Sequence, residues 1–285
     1  MIETIAQYGF NGLILGANYA LIGIGLTMIF GIMNIANFAH GQFYMLGGFF
    51  AYMLVAKMDL HYLIALPVAV LAVAALGWML ERVVFSRLRD RSPMTAVLAT
   101  IGLAILLESG ALLTWGPQPE SIPTPFSPMP LQLGPLFMTE ARLFVLGVTV
   151  VALCGLYFFL NHSRAGTAMR ATFQNRDAAA LVGIDIDRLH AVTFAIGAGL
   201  AALGGVLLGS LFLVHPTMGE VATLKAFIVV ILGGLGSVFG SAVGGLILGL
   251  SESFGTMLSS AWKDAIGFLL VILILLYRPD GLFKR

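Results

Sequence analysis

The sequence predicts an all-α membrane protein, a polytopic helical bundle of about eight apolar segments with broken or re-entrant Gly-rich stretches. Composition, segment length and charge placement predict it. Of 285 residues, 59% are hydrophobic and 10% charged, with mean hydropathy +0.97, whereas soluble domains carry about 25% charged residues. Apolar runs recur near the ~20-residue length that a bilayer crossing needs. The Lys and Arg residues gather in some of the intervening loops and avoid others.

The runs are 8–30, 43–56, 62–85, 94–115, 142–160, 189–214, 224–250 and 265–277. Run 43–56 is short for a crossing. No break resembles an interdomain linker, so 1–285 reads as a single transmembrane domain, and no soluble repeat period is visible. The opening MIETIAQYGFNG lacks a basic region, so the first run is expected to stay in the mature protein rather than be cleaved as a signal peptide. The 34 Gly residues are not periodic, and in membrane helices small residues allow close backbone approach. The single Cys, Cys154, lies in an apolar run without companions and reads as a small core residue.

Sidedness follows from Lys and Arg. The turn SRLRDRS (86–92), with Arg82 before it, is basic and is expected in the cytoplasm. The loop 116–140 holds Pro117, Pro119, Pro123, Pro125, Pro128, Pro130 and Pro135 but no Lys or Arg. It reads as outer, and its prolines prevent a regular helix. Arg278, Lys284 and Arg285 put the C-terminus inside, and counting back from 86 puts the N-terminus outside if all three preceding runs cross.

The longest polar interval outside the Pro-rich loop is 161–188, NHSRAGTAMRATFQNRDAAALVGIDIDR. Arg164, Arg170, Arg176 and Arg188 assign it to the cytoplasm. Within it a short helix is marked at both ends. Asn175 caps the first turn, Asp177 sits near the positive helix N-terminus and Gly183 supplies the stop. Ala178, Ala179, Ala180, Leu181 and Val182 make a small, smooth, slightly apolar rod. Such a rod either docks into a soluble partner or is an ordinary amphipathic loop helix.

From Arg188 to a cytoplasmic C-terminus the number of crossings must be even, yet three runs remain. One of them is therefore split, or the count at one end is wrong. The candidate is 224–250, whose centre GGLGSVFGSAVGG carries Gly233, Gly234 and Gly236 and has poor helix propensity. Broken backbone at membrane depth is tolerated only where protein or a water-filled cavity covers it. The alternative is one long helix whose glycines pack neighbours.

A second break, GIMNIANFAHGQ (31–42), places Asn34, Asn37, His40 and Gln42 between two apolar runs with no Lys or Arg nearby. It is either a discontinuous helix lining a passage or a polar, tightly packed turn. Glu108 stands in AILLESGALL. A charged residue at a helix centre costs about 2.5–3.5 kcal/mol on insertion scales, so Glu108 is expected to be protonated, paired or facing a cavity. Glu220 and Lys225 flank the start of the Gly-rich run, and Glu252 and Lys263 read as interfacial. Met28, Met33, Met45 and Met53 read as packing or lipid-facing residues.

Other classes are poorly supported. A net charge of +1 does not suggest a nucleic-acid partner, which calls for a basic patch. The five His residues are scattered, so no metal site is implied. No G-x-x-x-x-G-K-[ST] stretch occurs, so the chain has no P-loop of its own. No Ser elbow, H-E-x-x-H or dense carboxylate pair suggests enzymatic chemistry, and no cofactor is implied.

The segment Asp177-Ala178-Ala179, three residues, then Gly183 resembles the EAA-x3-G loop of ABC importer permeases, with Asp in place of Glu. That exchange keeps the charge and the helix-start preference. GTAMRATFQNRDAAALVGIDIDR (166–188), NIANFAHGQFYMLGGF (34–49), ILGGLGSVFGSAVGGLILGL (231–250) and RPDGLF (278–283) are similar, in order, to branched-chain amino acid permeases of the LivH type. The resemblance implies a multi-pass permease subunit of the bacterial inner membrane, surrounded by lipid. It implies as partners two ATPase subunits, a second similar permease and a periplasmic substrate-binding protein. Arg176, Asp177, Ala178, Ala179, Ala180, Leu181 and Gly183 would then form the ATPase-coupling loop. Asn34, Asn37, His40, Gln42, Glu108, Gly233, Gly234 and Gly236 are candidates for the translocation path. The implied substrates are branched-chain or other apolar amino acids, with urea or short amides as an alternative within the wider family. An ion-coupled secondary transporter is the alternative from another class. On this reading Ala179→Asp or Gly183→Pro would uncouple ATP hydrolysis from uptake.

Overall fold

The computed structural model describes residues 2–33, 35–88, 91–133, 136–259, 262–278 and 281–283, without the side chains of 2, 133, 258 and 262–264. Helix α1 (Ile2–Met33) is followed by α2 (His40–Tyr52), which continues as a π-helical turn through Lys57. Helices α3 (Tyr62–Val83) and α4 (Pro93–Trp115) come next, then strands β1 (Leu131–Leu133) and β2 (Leu136–Met138). After α5 (Glu140–His162) lie two helices of the Arg-rich interval, α6 (Arg164–Gln174) and α7 (Arg176–Leu181). The last four are α8 (Ile186–Gly209), α9 (Met218–Gly233), α10 (Val238–Leu258) and α11 (Trp262–Tyr277).

Among the described residues six helices, α1, α3, α4, α5, α8 and α10, are long and apolar enough to cross a membrane. Helices α2, α9 and α11 are shorter. The fold is therefore an all-α, polytopic membrane bundle. Helices α1 and α8 are central and largely buried, whereas α3, α4 and α5 expose most of their surface. That surface is apolar, with Leu71, Ile105, Leu106 and Leu113 all outward. Apolar surface this extensive is foreign to a monomeric soluble protein and suits contact with lipid.

Small residues set the central seams. Gly12, Gly16 and Ala20 recur every fourth residue on α1 and so share one face. They meet Leu250, Leu246 and Gly245 of α10 in antiparallel order. A Cβ on Gly16 would lie 2.8 Å from the Leu246 Cα, and one on Gly245 would lie 2.7 Å from the Ala20 Cα. This is the close backbone approach that stabilises helix pairs in lipid through dispersion contacts. Polar contacts mark both ends of the seam. The Ser253 hydroxyl donates to the Tyr8 carbonyl at 2.6 Å, and the Thr27 and Ser241 hydroxyls pair.

The Gly-rich run is split into two helices. Helix α9 stops at Gly233, and α10 starts at Val238 with Ser237 as its cap. Gly234 (φ 96°) and Gly236 (φ 82°) adopt left-handed conformations that L side chains reach only with strain. The two helices fold back on each other, Gly233 against Gly240 and Gly244 against Val229. The segment after α11 then covers the break. Leu282 donates its N–H to the Leu232 carbonyl at 2.9 Å, and Phe283 donates to Gly233 at 3.3 Å. Two of the carbonyls left over at the end of α9 are thereby satisfied.

The Pro-rich loop and the Arg-rich interval lie at opposite ends of the bundle. Gln7, near the start of α1, exchanges hydrogen bonds with the Phe137 backbone at 2.9 and 3.0 Å. At the other end of α1, Phe173 of α6 fills the space beside Gly31. The turn at Ser237 lines a cavity with Arg170 and Phe173, so it shares the α6 end.

Three expectations need correction. Cys154 is not a core residue: it is exposed on the outer side of α5. Glu252 does not follow the end of the run: α10 extends eight residues past 250 and carries it fully buried inside the bundle. The Arg-rich interval holds two helices rather than one. Ser163 caps α6 by accepting from the Gly166 N–H at 2.9 Å, and Arg170 clamps α6 onto the end of α5 through Asn161 Oδ1 at 2.8 Å. In addition, the Pro-rich loop contains the antiparallel hairpin of β1 and β2.

Candidate functional site

The local sequence builds α7 with both ends closed. Asn175 is extended (φ −157°, ψ 109°), and its Oδ1 accepts from the Ala178 N–H at 3.0 Å. Asp177 lies in the first turn, where a carboxylate is favoured by the helix dipole. At the other end the Gly183 N–H donates to Ala180 at 3.0 Å and the Ile184 N–H donates to Ala179 at 3.2 Å. This double closure requires a left-handed residue, and Gly183 has φ 86°.

The helix packs one side chain inward. Ala179 is buried, which seats α7 on its own chain, while Arg176, Asp177, Ala178 and Ala180 are exposed. Leu181 is 89% exposed and Val182 78% exposed. The surface open to a partner is therefore Ala178, Leu181 and Val182, and Ala179→Asp would unseat the helix from within.

Of the expected path residues, Asn34 lies outside the described residues. Asn37, His40 and Gln42 are buried. The break between α1 and α2 is real: Ile35–Asn37 has no regular structure, and α2 begins deep in the bundle. His40 Nε2 contacts the Ile22 carbonyl at 3.0 Å, three turns back from the end of α1. Asn37 Oδ1 accepts from the Ala39 N–H at 3.1 Å and the Thr223 hydroxyl accepts from Gly41 at 3.0 Å. The break is thus both discontinuous and tightly packed.

Gln42 and Glu108 come together, with Gln42 Nε2 donating to Glu108 Oε2 at 3.3 Å. The glycines do not join them. Gly219 packs against Gln42, and Gly233 lies fourteen residues further along α9, about 20 Å at 1.5 Å per residue. Gly233, Gly234 and Gly236 belong instead to the end that carries α6.

A third polar site has no counterpart among those candidates. Lys225 of α9 and Glu252 of α10 form a buried ion pair, and the Tyr19 hydroxyl of α1 donates to Glu252 Oε2 at 2.9 Å. Lys225 is 5% exposed and Glu252 is fully buried. The sequence signal was present: ionisable residues within apolar helices pair with one another. Ending the run at 250 hid it. Among the described residues, no three His, Cys, Asp or Glu side chains converge on a metal-sized site.

The sequence profile of the family described as branched-chain amino acid transport system / permease component matches residues 8–275. The chain belongs to this permease family. It is 37% identical to the high-affinity branched-chain amino acid transport system permease protein LivH of Escherichia coli K12, over 98% of this chain and 95% of that one. It is 27% identical to LivM, a permease protein of the same-named system in the same organism, over 93% of this chain and 67% of LivM. A solved structure, PsaBC from Streptococcus pneumoniae in complex with Fab, contains a chain with TM-score 0.50 and 14% identity, covering 93% of this chain and 89% of that one. That likeness concerns the fold alone.

Proposed function

We propose that the chain is a permease subunit of a binding-protein-dependent ABC importer in the bacterial inner membrane. In this reading it forms half of the pathway for branched-chain, apolar amino acids. A second permease of the LivM type forms the other half, and two ATPase subunits supply the energy. The observation that carries the reading is α7: a capped helix with two exposed apolar side chains at its C-terminal end, in a member of a branched-chain amino acid permease family whose sequence carries no P-loop motif.

The mechanism follows from connectivity. Helix α7 is joined through Gly183–Asp185 to α8, and α8 packs against α1, α2 and α3. ATP-driven closure of the ATPase dimer moves α7, and α8 carries that displacement into the centre of the bundle. The Pro-rich loop lies at the opposite end and faces the periplasm, where a binding protein delivers substrate. The chain forms no covalent intermediate and acts by alternating access.

Affinity purification of the tagged chain in mild detergent tests this. Recovery of two ATPase subunits and a second permease, lost on Gly183→Pro, supports it. Recovery of the chain alone, active in uptake driven by an ion gradient, overturns it.

A further inference from the structure

We propose that the cavity between α1, α2, α8 and α9 is a substrate subsite in which the Lys225 ammonium takes the carboxylate of an apolar amino acid. The cavity measures about 210 Å³, room for about seven waters at liquid density. Its walls follow helical spacing. Leu15, Tyr19 and Ile22 form one stripe on α1, and Met218, Val221 and Lys225 form another on α9. The lining is otherwise mostly aliphatic and aromatic, so Lys225 is the charged group in an apolar pocket.

The charge is fixed rather than mobile. Glu252 from α10 pairs with it, and Tyr19 from α1 donates to the other carboxylate oxygen of Glu252. Three helices thus converge on one ion pair. A buried ion pair of this kind is weak evidence for stability, because a well-packed apolar pair often serves as well. An intramembrane ionisable residue is by default a candidate for function.

The chemistry selects among small solutes. The Lys225–Glu252 pair is neutral as a unit, and so is an amino acid zwitterion. Its entry brings no uncompensated charge into a low-dielectric site. Its carboxylate meets the ammonium, and its aliphatic side chain meets Leu15, Ile22 and Val221. Urea and simple amides have no carboxylate to offer.

The mouth lies where delivery is expected. Phe212 and His215, in the α8–α9 connection, line the cavity and also an adjoining one with Pro119 and Ser121 of the Pro-rich loop. The connection is tied to that loop by paired backbone bonds of 2.8 Å between Glu120 and Val214. The cargo named here rests on the importer reading, whereas the geometry of the site does not.

The test uses the complete importer in proteoliposomes. Cys154→Ala removes the native thiol and Leu213→Cys places one at the cavity mouth, where the side chain is accessible. Labelling of this subunit by an impermeant thiol reagent is followed with leucine, with leucinamide and with neither. At ten times its dissociation constant, leucine slows labelling about tenfold, and leucinamide does not. In the double variant Lys225→Met/Glu252→Leu, recovered with the same partner subunits and a similar melting temperature, the protection disappears. Equal protection by leucinamide, no protection by leucine, or undiminished protection in the double variant overturns the subsite. Leucine uptake by vesicles that hold the unsubstituted chain separates the two conclusions. Uptake without protection rejects only the subsite, and no uptake at all rejects the importer reading and the cargo with it.

Discussion

Truncating Leu181 and the C-cap residue Val182 together to Ala strips the apolar surface from the end of α7 while leaving the Asn175 cap and the Gly183 turn in place. At 89% and 78% exposure, neither side chain contributes much burial within the chain. The stability of the bundle should therefore stay within about 0.5 kcal/mol of the parent. Seated in a partner's cleft, each is worth roughly 1.5–3 kcal/mol when fully buried, and Ala retains part of that. The double truncation then forfeits about 2–4 kcal/mol, a ~30- to 700-fold weaker association at 1.4 kcal/mol per tenfold. The assay titrates ATPase subunits onto the immobilised permease pair in detergent, with a melting curve of the free chain as control. Parent-like affinity, or a large drop in melting temperature, would refute the reasoning.

Further outcomes follow from the packing. Gly183→Val forces a β-branched residue to φ 86°, at about 1–2 kcal/mol. It should uncouple ATP hydrolysis from uptake while amide exchange of the bundle core stays unchanged. Gly16→Val drives side-chain atoms into the Leu246 backbone and should prevent accumulation of the protein, whereas Gly147→Ala, which meets open space, should be neutral in the same expression assay. Lys225→Met alone leaves Glu252 buried without its cation and should cost about 3–5 kcal/mol. Adding Glu252→Leu should restore most of the lost melting temperature, and the two are compared by thermal unfolding in detergent.

What the sequence showed depended on how local the physics is. The caps of α7 are written in three residues, since Asn175, Asp177 and Gly183 act within one turn of the helix they bound. The split between α9 and α10 was legible from Gly233, Gly234 and Gly236 together with the parity of crossings. Residue type alone did not place Cys154, because an apolar run in lipid has no polar face to mark its inward side. Lys225 and Glu252 are 27 positions apart and meet only because α9 and α10 fold into a hairpin around those glycines. Gln42 and Glu108 were both singled out, yet their contact needed the packing of α2 against α4. Helix α6 was hidden within a polar interval whose amphipathic face is covered by the end of α5.

On the proposed function, this permease moves branched-chain amino acids when an ATPase partner closes on α7. The direct measurement is uptake of labelled leucine into proteoliposomes that contain the permease pair, its ATPase subunits and its binding protein, with ATP supplied on the ATPase side. The account predicts uptake that requires ATP and is abolished by Leu181→Ala/Val182→Ala. Uptake that persists without ATP, or that survives the double truncation, would contradict it.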